Sequence, residues 1–252
     1  MLRIYWFKYL FFLLLGKILI QCQNPSTVLE RALETPIPEI QEILENKQKH
    51  EIQILLTQVE RTHSGAIKFQ ESAFQVDENQ YFYPASTAKL PVAVLALQKL
   101  KTLQGQGVQI NGETPFLIKN KNGKTIIEKD STHHEGKVTL HHLIKKIFLV
   151  SDNDAYNYLF DFLGRDYINE ELKKRGLSNT QLHHKFLFGA DNETTWHYTF
   201  LNAEQDTLYH QPSFRAKLKL EPHSLKGIQK GVGYLSAGTL AKEPMDFSEK
   251  NW

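Results

Sequence analysis

The chain has 252 residues, 41% of them hydrophobic and 23% charged. That composition excludes a disordered, collagen-like or disulfide-stapled chain, and the length suits one large domain or two intimate ones. A net charge of +2 gives no basis for nucleic-acid binding, and a single cysteine excludes an internal disulfide or a cysteine-based zinc cluster.

Residues 1–21 carry Arg3, Lys8 and Lys17 and no acid. The basic start is followed by an apolar run from Tyr9 to Gly16, which Lys17 interrupts and Ile18 to Ile20 resumes. The run is shorter than the roughly 20 residues a bilayer span needs, so 1–21 reads as a secretory signal. Leu19-Ile20-Gln21-Cys22 resembles a bacterial lipoprotein lipobox, with Gln21 where that family favours Gly, Ala or Ser. The resemblance implies lipidation of Cys22, membrane contact through that anchor alone, and a place in the periplasm or outer membrane of a Gram-negative envelope. An uncleaved anchor, an ordinary signal and a buried free cysteine are the alternatives.

Residues 22–50 read as a linker with a short helix, a turn at Pro36 and Pro38, and a second helix from about Ile37. Residues 51–60 and 66–69 are β-rich around the turn His63-Ser64-Gly65 and predict a hairpin. Phe74 to Tyr83 is a third apolar–polar stretch. From Ser86 the pattern is helical, with Leu90, Val94, Leu97 and Leu100 on one face. Residues 105–136, rich in Gly, Asn and Lys, read as an exposed excursion or hairpin, and Lys119, Lys121 and Lys124 as its solvated charges. Three helices follow: Val138 to Leu149 with Thr139 as N-cap, Ala155 to Leu163 ending at Gly164, and Asp166 to Arg175 ending at Gly176. Residues 178–215 look loop-like with one possible helix, and Gly231 to Leu240 predicts a hairpin turning at Ser236-Ala237-Gly238.

Chemistry concentrates in Tyr83-Pro84-Ala85-Ser86-Thr87-Ala88-Lys89-Leu90-Pro91. Serine and lysine three positions apart at a helix start share one face, one turn apart. An alcohol needs a base within hydrogen-bond reach to become a nucleophile, and a lysine serves when burial lowers its pKa. The helix N-terminus disfavours an ammonium and favours an oxyanion at the serine. Pro91 removes a helical hydrogen bond, so a tight, 3₁₀-like first turn is expected. Alone, the pair also fits a helix cap and a surface lysine. A second motif, Ser151-Asp152-Asn153, lies between two apolar helices, 65 positions after Ser86. It can present a hydroxyl and an amide on an inter-helix turn, or simply cap the next helix.

These motifs, in this order and at this distance, resemble the class A β-lactamases among the penicillin-recognising serine hydrolases. The resemblance covers roughly residues 50–180. It implies an α/β (α+β) fold: an antiparallel sheet flanked by helices plus an all-helical domain, with residues 51–252 as the catalytic domain. It implies that Ser86 attacks the β-lactam carbonyl to give an acyl-enzyme, that Lys89 activates it, and that Ser151 relays a proton to the leaving nitrogen. Asn153 then binds the substrate amide, and Asp152 is structural. It also implies a monomer that acts on a small β-lactam or a peptidoglycan-like peptide and uses no metal or organic cofactor.

The chain departs from that pattern in three ways. The Lys-Thr/Ser-Gly strand is missing, Lys230-Gly231 being the nearest sequence. The end at Ser248 to Trp252 is polar, which suggests that the C-terminal strands and helix are cut away. Glu193 is the one glutamate in the window where class A enzymes place their deacylation base, and it also reads as a surface residue. A penicillin-binding, DD-peptidase-like acylating protein and a non-catalytic lipoprotein remnant therefore stay open. The pairs His133-His134, His141-His142 and His183-His184 diverge on any regular backbone, so they read as surface histidines rather than metal ligands.

Overall fold

The computed structural model describes residues 26–80, 84–187 and 189–220, with the backbone of four short strands beyond them. The leader, Cys22, Gly231 and the terminal stretch from Ser248 lie outside the described residues. The chain divides into two units between Phe82 and Tyr83.

Among the described residues of the first unit, helix α1 (Val28–Leu33) is started by a capping box in which Thr27 and Glu30 satisfy each other's backbone N–H. Helix α2 (Pro38–Glu45) has its proline at the first helical position, where no N–H partner is needed. Strands β1 (Ile54–Arg61) and β2 (Ile67–Phe74) form the expected antiparallel hairpin. Its turn is closed by Thr62 N–H donating to Ala66 O at 2.8 Å, with Gly65 at φ 84°. As far as the third stretch is described, to residue 80, it adds no further strand: β2 runs on to Phe74, and Asp77 then organises a turn by accepting from Asn79 N at 2.9 Å.

In the second unit a 3₁₀ turn (Ala85–Ala88) leads into α3 (Lys89–Gly105). Strands β3 (Phe116–Lys119) and β4 (Thr125–Ile127) follow, then α4 (Leu140–Val150), α5 (Asn153–Leu163) and α6 (Arg165–Lys174). Strands β5 (His197–Leu201) and β6 (Thr207–Gln211) complete an antiparallel sheet of order β4-β3-β5-β6. Beyond it, β7 (Gln229–Lys230) pairs with β10 (Met245–Asp246), and β8 (Tyr234–Ser236) with β9 (Thr239–Ala241). The β8–β9 pair is the hairpin expected over Gly231 to Leu240. The protein is thus of mixed α/β class with antiparallel sheets, as anticipated, but its strands are shared among several sheets.

Helix α5 is the axis of this unit. It packs against α3, α4 and α6 and buries Tyr156, Leu159, Phe160, Phe162 and Leu163. Opposed residues Phe116 and Phe200, and Ile118 and Tyr198, share one fully buried sheet face. Phe162 reaches that face, its ring centroid 5.4 Å from Tyr198. At Gly164 the backbone turns with φ 78°, and a Cβ there would lie 2.6 Å from the Phe214 ring.

Three expectations need correction. Residues 105–136 hold the expected hairpin, β3–β4, but it is not simply exposed, because Phe116 and Ile118 are core residues, although Lys119, Lys121 and Lys124 are exposed. Residues 178–215 hold no helix among the described residues; the alternation of Tyr198 and Phe200 makes a strand. On α3, Leu90, Val94 and Leu97 are exposed, while Val92, Leu95, Ala96, Leu100 and Leu103 form the core face. This helix is apolar around its whole start, so periodicity alone cannot choose the packed face.

Candidate active site

Two local devices set up the site. The first is the 3₁₀ turn at Ser86. Ala85 adopts φ 45°, Thr87 Oγ1 donates to Pro84 O at 2.5 Å, and the Lys89 N–H donates back to Ser86 O. The α-helix proper starts at Lys89, so Pro91 sits in its first turn and costs no helical bond. The expected tight turn is present, but Pro91 does not remove a helical bond as anticipated. Ser86 and Lys89 lie three positions apart across this turn, but no hydrogen bond joins Lys89 Nζ to Ser86 Oγ. Ser86 is exposed, whereas Lys89 is 2% exposed.

The second device is the elbow between α4 and α5. Thr139 caps α4 as expected, its side chain accepting from His142 N at 3.1 Å. Ser151 ends that helix in the left-handed region (φ 53°). Asp152 then caps α5, its Oδ1 accepting from Ala155 N at 2.7 Å. Its other oxygen lies 3.3 Å from Lys146 Nζ, which also donates to Asp130 at 2.9 Å. Burial works against the Asp130 carboxylate, but hydrogen bonds from Thr132 and Lys146 outweigh it and hold the pKa down to about 2. His142 Nε2 lies 3.5 Å from the same carboxylate with its side chain 14% exposed, so this histidine is not a surface residue.

The two devices meet at the Lys89 amine. Lys89 Nζ donates to Ser151 O at 2.5 Å, Ser151 Oγ at 3.0 Å and Asn153 Oδ1 at 2.6 Å. All three acceptors are neutral, so burial dominates and lowers the Lys89 pKa, with Asp152 opposing. The Phe186 ring centroid lies 5.2 Å from the same nitrogen. An amine of lowered basicity bonded to the Ser151 hydroxyl can pass a proton through it.

Glu193 is engaged elsewhere. Its carboxylate takes Arg215 Nη2 at 2.8 Å and lies 3.5 Å from Arg165, and these cations hold its pKa below the usual carboxylate range. The sequence reading missed Phe186 and the buried ion pair Lys185–Asp161 (2.5 Å) beside it. A signal existed: Asp161 is a lone carboxylate in the apolar run Tyr158-Leu159-Phe160-Asp161-Phe162-Leu163, and a buried charge needs a partner. No group of three His, Cys, Asp or Glu side chains fit to hold a metal occurs among the described residues.

The Beta-lactamase enzyme family matches residues 36–209, a span that holds Ser86, Lys89, Ser151, Asn153 and Phe186. No curated protein and no solved structure matches the chain. With more than half of its length matched, the chain belongs to the β-lactamase enzyme family of penicillin-recognising serine hydrolases.

Proposed function

We propose that this protein is a serine hydrolase that opens the β-lactam ring through an acyl-enzyme on Ser86. The observation that carries the reading is the three-way contact of Lys89 Nζ with Ser151 O, Ser151 Oγ and Asn153 Oδ1. In the proposed reaction the neutral Lys89 amine takes the Ser86 hydroxyl proton as Oγ bonds to the lactam carbonyl carbon. The Ser86 backbone N–H supplies one arm of the oxyanion hole. The ring C–N bond then breaks, and the proton passes from the Lys89 ammonium through the Ser151 hydroxyl to the leaving nitrogen. Asn153 orients the substrate's side-chain amide. Water hydrolyses the resulting ester. No cofactor enters any step, and the substrate is a small β-lactam met by a monomer. The leader and Cys22 support a lipid-anchored place in the cell envelope.

A second reading is favoured by one observation. Glu193 is held by Arg215 and Arg165, so it is a poor candidate for a water-activating base. The protein would then acylate on Ser86 and deacylate slowly, as a peptidase-like penicillin-binding protein does. Incubation with a chromogenic cephalosporin and a fluorescent penicillin separates the two. Turnover supports the hydrolase; a stable Ser86 adduct without turnover supports the second reading. Turnover that survives in Ser86→Ala would remove the nucleophile assignment.

A further inference from the structure

The segment between α6 and β5 has little regular structure, yet it is fastened to the helices at successive points. Leu182 exchanges two hydrogen bonds with Asn169 of α6, both 2.9 Å. Asp161 of α5 pairs with Lys185 Nζ at 2.5 Å and accepts from Trp196 N at 2.6 Å. Asn157, one turn earlier on α5, accepts from Phe186 N at 2.7 Å. Asn157 and Asp161 are 2% and 1% exposed, so these fastenings are shielded from water. They leave the Phe186 ring little freedom. It packs on Tyr156 with centroids 4.6 Å apart and stands over the Lys89 amine.

We propose that Phe186 is a positioning residue for the reaction, an apolar cover that keeps water from the Lys89 amine and is held in place by Asn157 and by the Asp161–Lys185 pair. This rests on Lys89 acting as read above. Two effects of the ring compete. Its π-face attracts an ammonium. Its bulk removes hydration from the same ammonium, and burial is the larger influence on Lys89. The cover therefore favours the free amine. Asp152 favours the ammonium, and His184 lies beside the Phe186 ring, their centroids 6.0 Å apart.

The test uses the full chain and competitive acetic anhydride labelling, with mass spectrometry reading the Lys89 titration directly. The rate of Ser86 acylation by a fluorescent penicillin is followed against pH in parallel. In the wild type, Lys89 titrates below the ordinary lysine range; an ordinary value overturns the proposal without any variant. In Phe186→Ala the Lys89 titration and the acid limb of the acylation profile move up together by about one pH unit. Phe186→Leu restores both, because a leucine excludes water without a π-face, while Leu187→Ala, a half-exposed neighbour, moves neither. A Phe186→Ala titration that stays put, or a shift that leucine does not restore, overturns the proposal. If the penicillin labels no variant yet the Lys89 titration follows Phe186, the hydrolase reading falls and the cover stands.

Discussion

Lys89 and Ser151 are 62 positions apart, yet the amine of one donates to both the carbonyl and the hydroxyl oxygen of the other, at 2.5 and 3.0 Å. The contact exists because Ser151 ends α4 in the left-handed region, which turns its carbonyl and side chain together toward the start of α3. For an L-residue that backbone costs about 1 kcal/mol, and such strain gathers at functional sites.

Ser151→Gly separates the cost from the use. Glycine adopts φ 53° freely, so the variant is expected to melt no lower than the parent. It lacks the proposed proton relay, so acylation by a fluorescent penicillin should slow roughly 100-fold or more. Stability and rate that fall in proportion would instead make Ser151 a structural cap. Lys89→Met should slow acylation at least as much.

Local chemistry made much of this fold readable. Thr139, Asp152 and Gly164 each announce a helix boundary through their own side chain or lack of one, and the boundaries lie within a residue or two of those positions. The tight turn holding Ser86 and Lys89 was readable from its own sequence, whereas the bonds of the Lys89 amine to Ser151 and Asn153 cross to a distant elbow. The unread parts depend on distant partners. Leu90, Val94 and Leu97 are as apolar as the buried Val92 and Leu95, so the packed face of α3 is decided by α4, α5 and α6 and not by its own pattern. Phe186 lies in an irregular segment whose course is set by Asn157, Asp161 and Asn169, and no period in the segment marks it.

Asp130 ties the elbow at Ser151 to the preceding loop through Lys146. Its folded pKa of about 2 lies below its ordinary value of 3.8, so the folded state binds the proton less tightly than the unfolded one. The stabilisation is complete above about pH 4 and lost as pH falls toward 2, on the order of 2 kcal/mol in total. Asp130→Asn is expected to lower stability near neutral pH and to flatten its fall between pH 4 and 2. Urea midpoints across that range measure this, and an unchanged slope would show that Lys146 and Thr132 do not hold the carboxylate.

Lys99 gives the same sign of pH dependence in a higher window, although burial here works against the charged form. Its amine donates to Phe162 O at 2.6 Å and Gln211 Oε1 at 2.7 Å, and burial lowers its pKa to about 7, against attraction from Asp161. The unfolded chain keeps this proton up to about pH 10.5, so between pH 7 and 10 the unfolded state binds more protons and stability rises with pH. Lys99 contributes up to ~1.4 kcal/mol per pH unit in that window. Lys99→Met should remove that rise and gain stability at pH 7 relative to the parent. A parent and variant with parallel pH dependence would place the Lys99 charge in water.

The pair Asp161–Lys185 tests whether the segment bearing Phe186 is held by charge or by packing. Both side chains are almost fully buried, at 1% and 2% exposure, and burial pushes the Asp161 pKa up while Lys185 opposes it. Lys185→Met leaves a buried carboxylate without its ion-pair partner and is expected to cost about 3–5 kcal/mol. Asp161→Asn with Lys185→Met removes both charges, keeps an acceptor for Trp196 N, and should recover most of that loss. Equilibrium urea unfolding of the parent, both single variants and the double variant yields the coupling between the two sites. A double variant as unstable as the sum of the singles would mean that the charges act independently and that Trp196, stacked under Lys185 at 4.3 Å, holds the segment by packing alone.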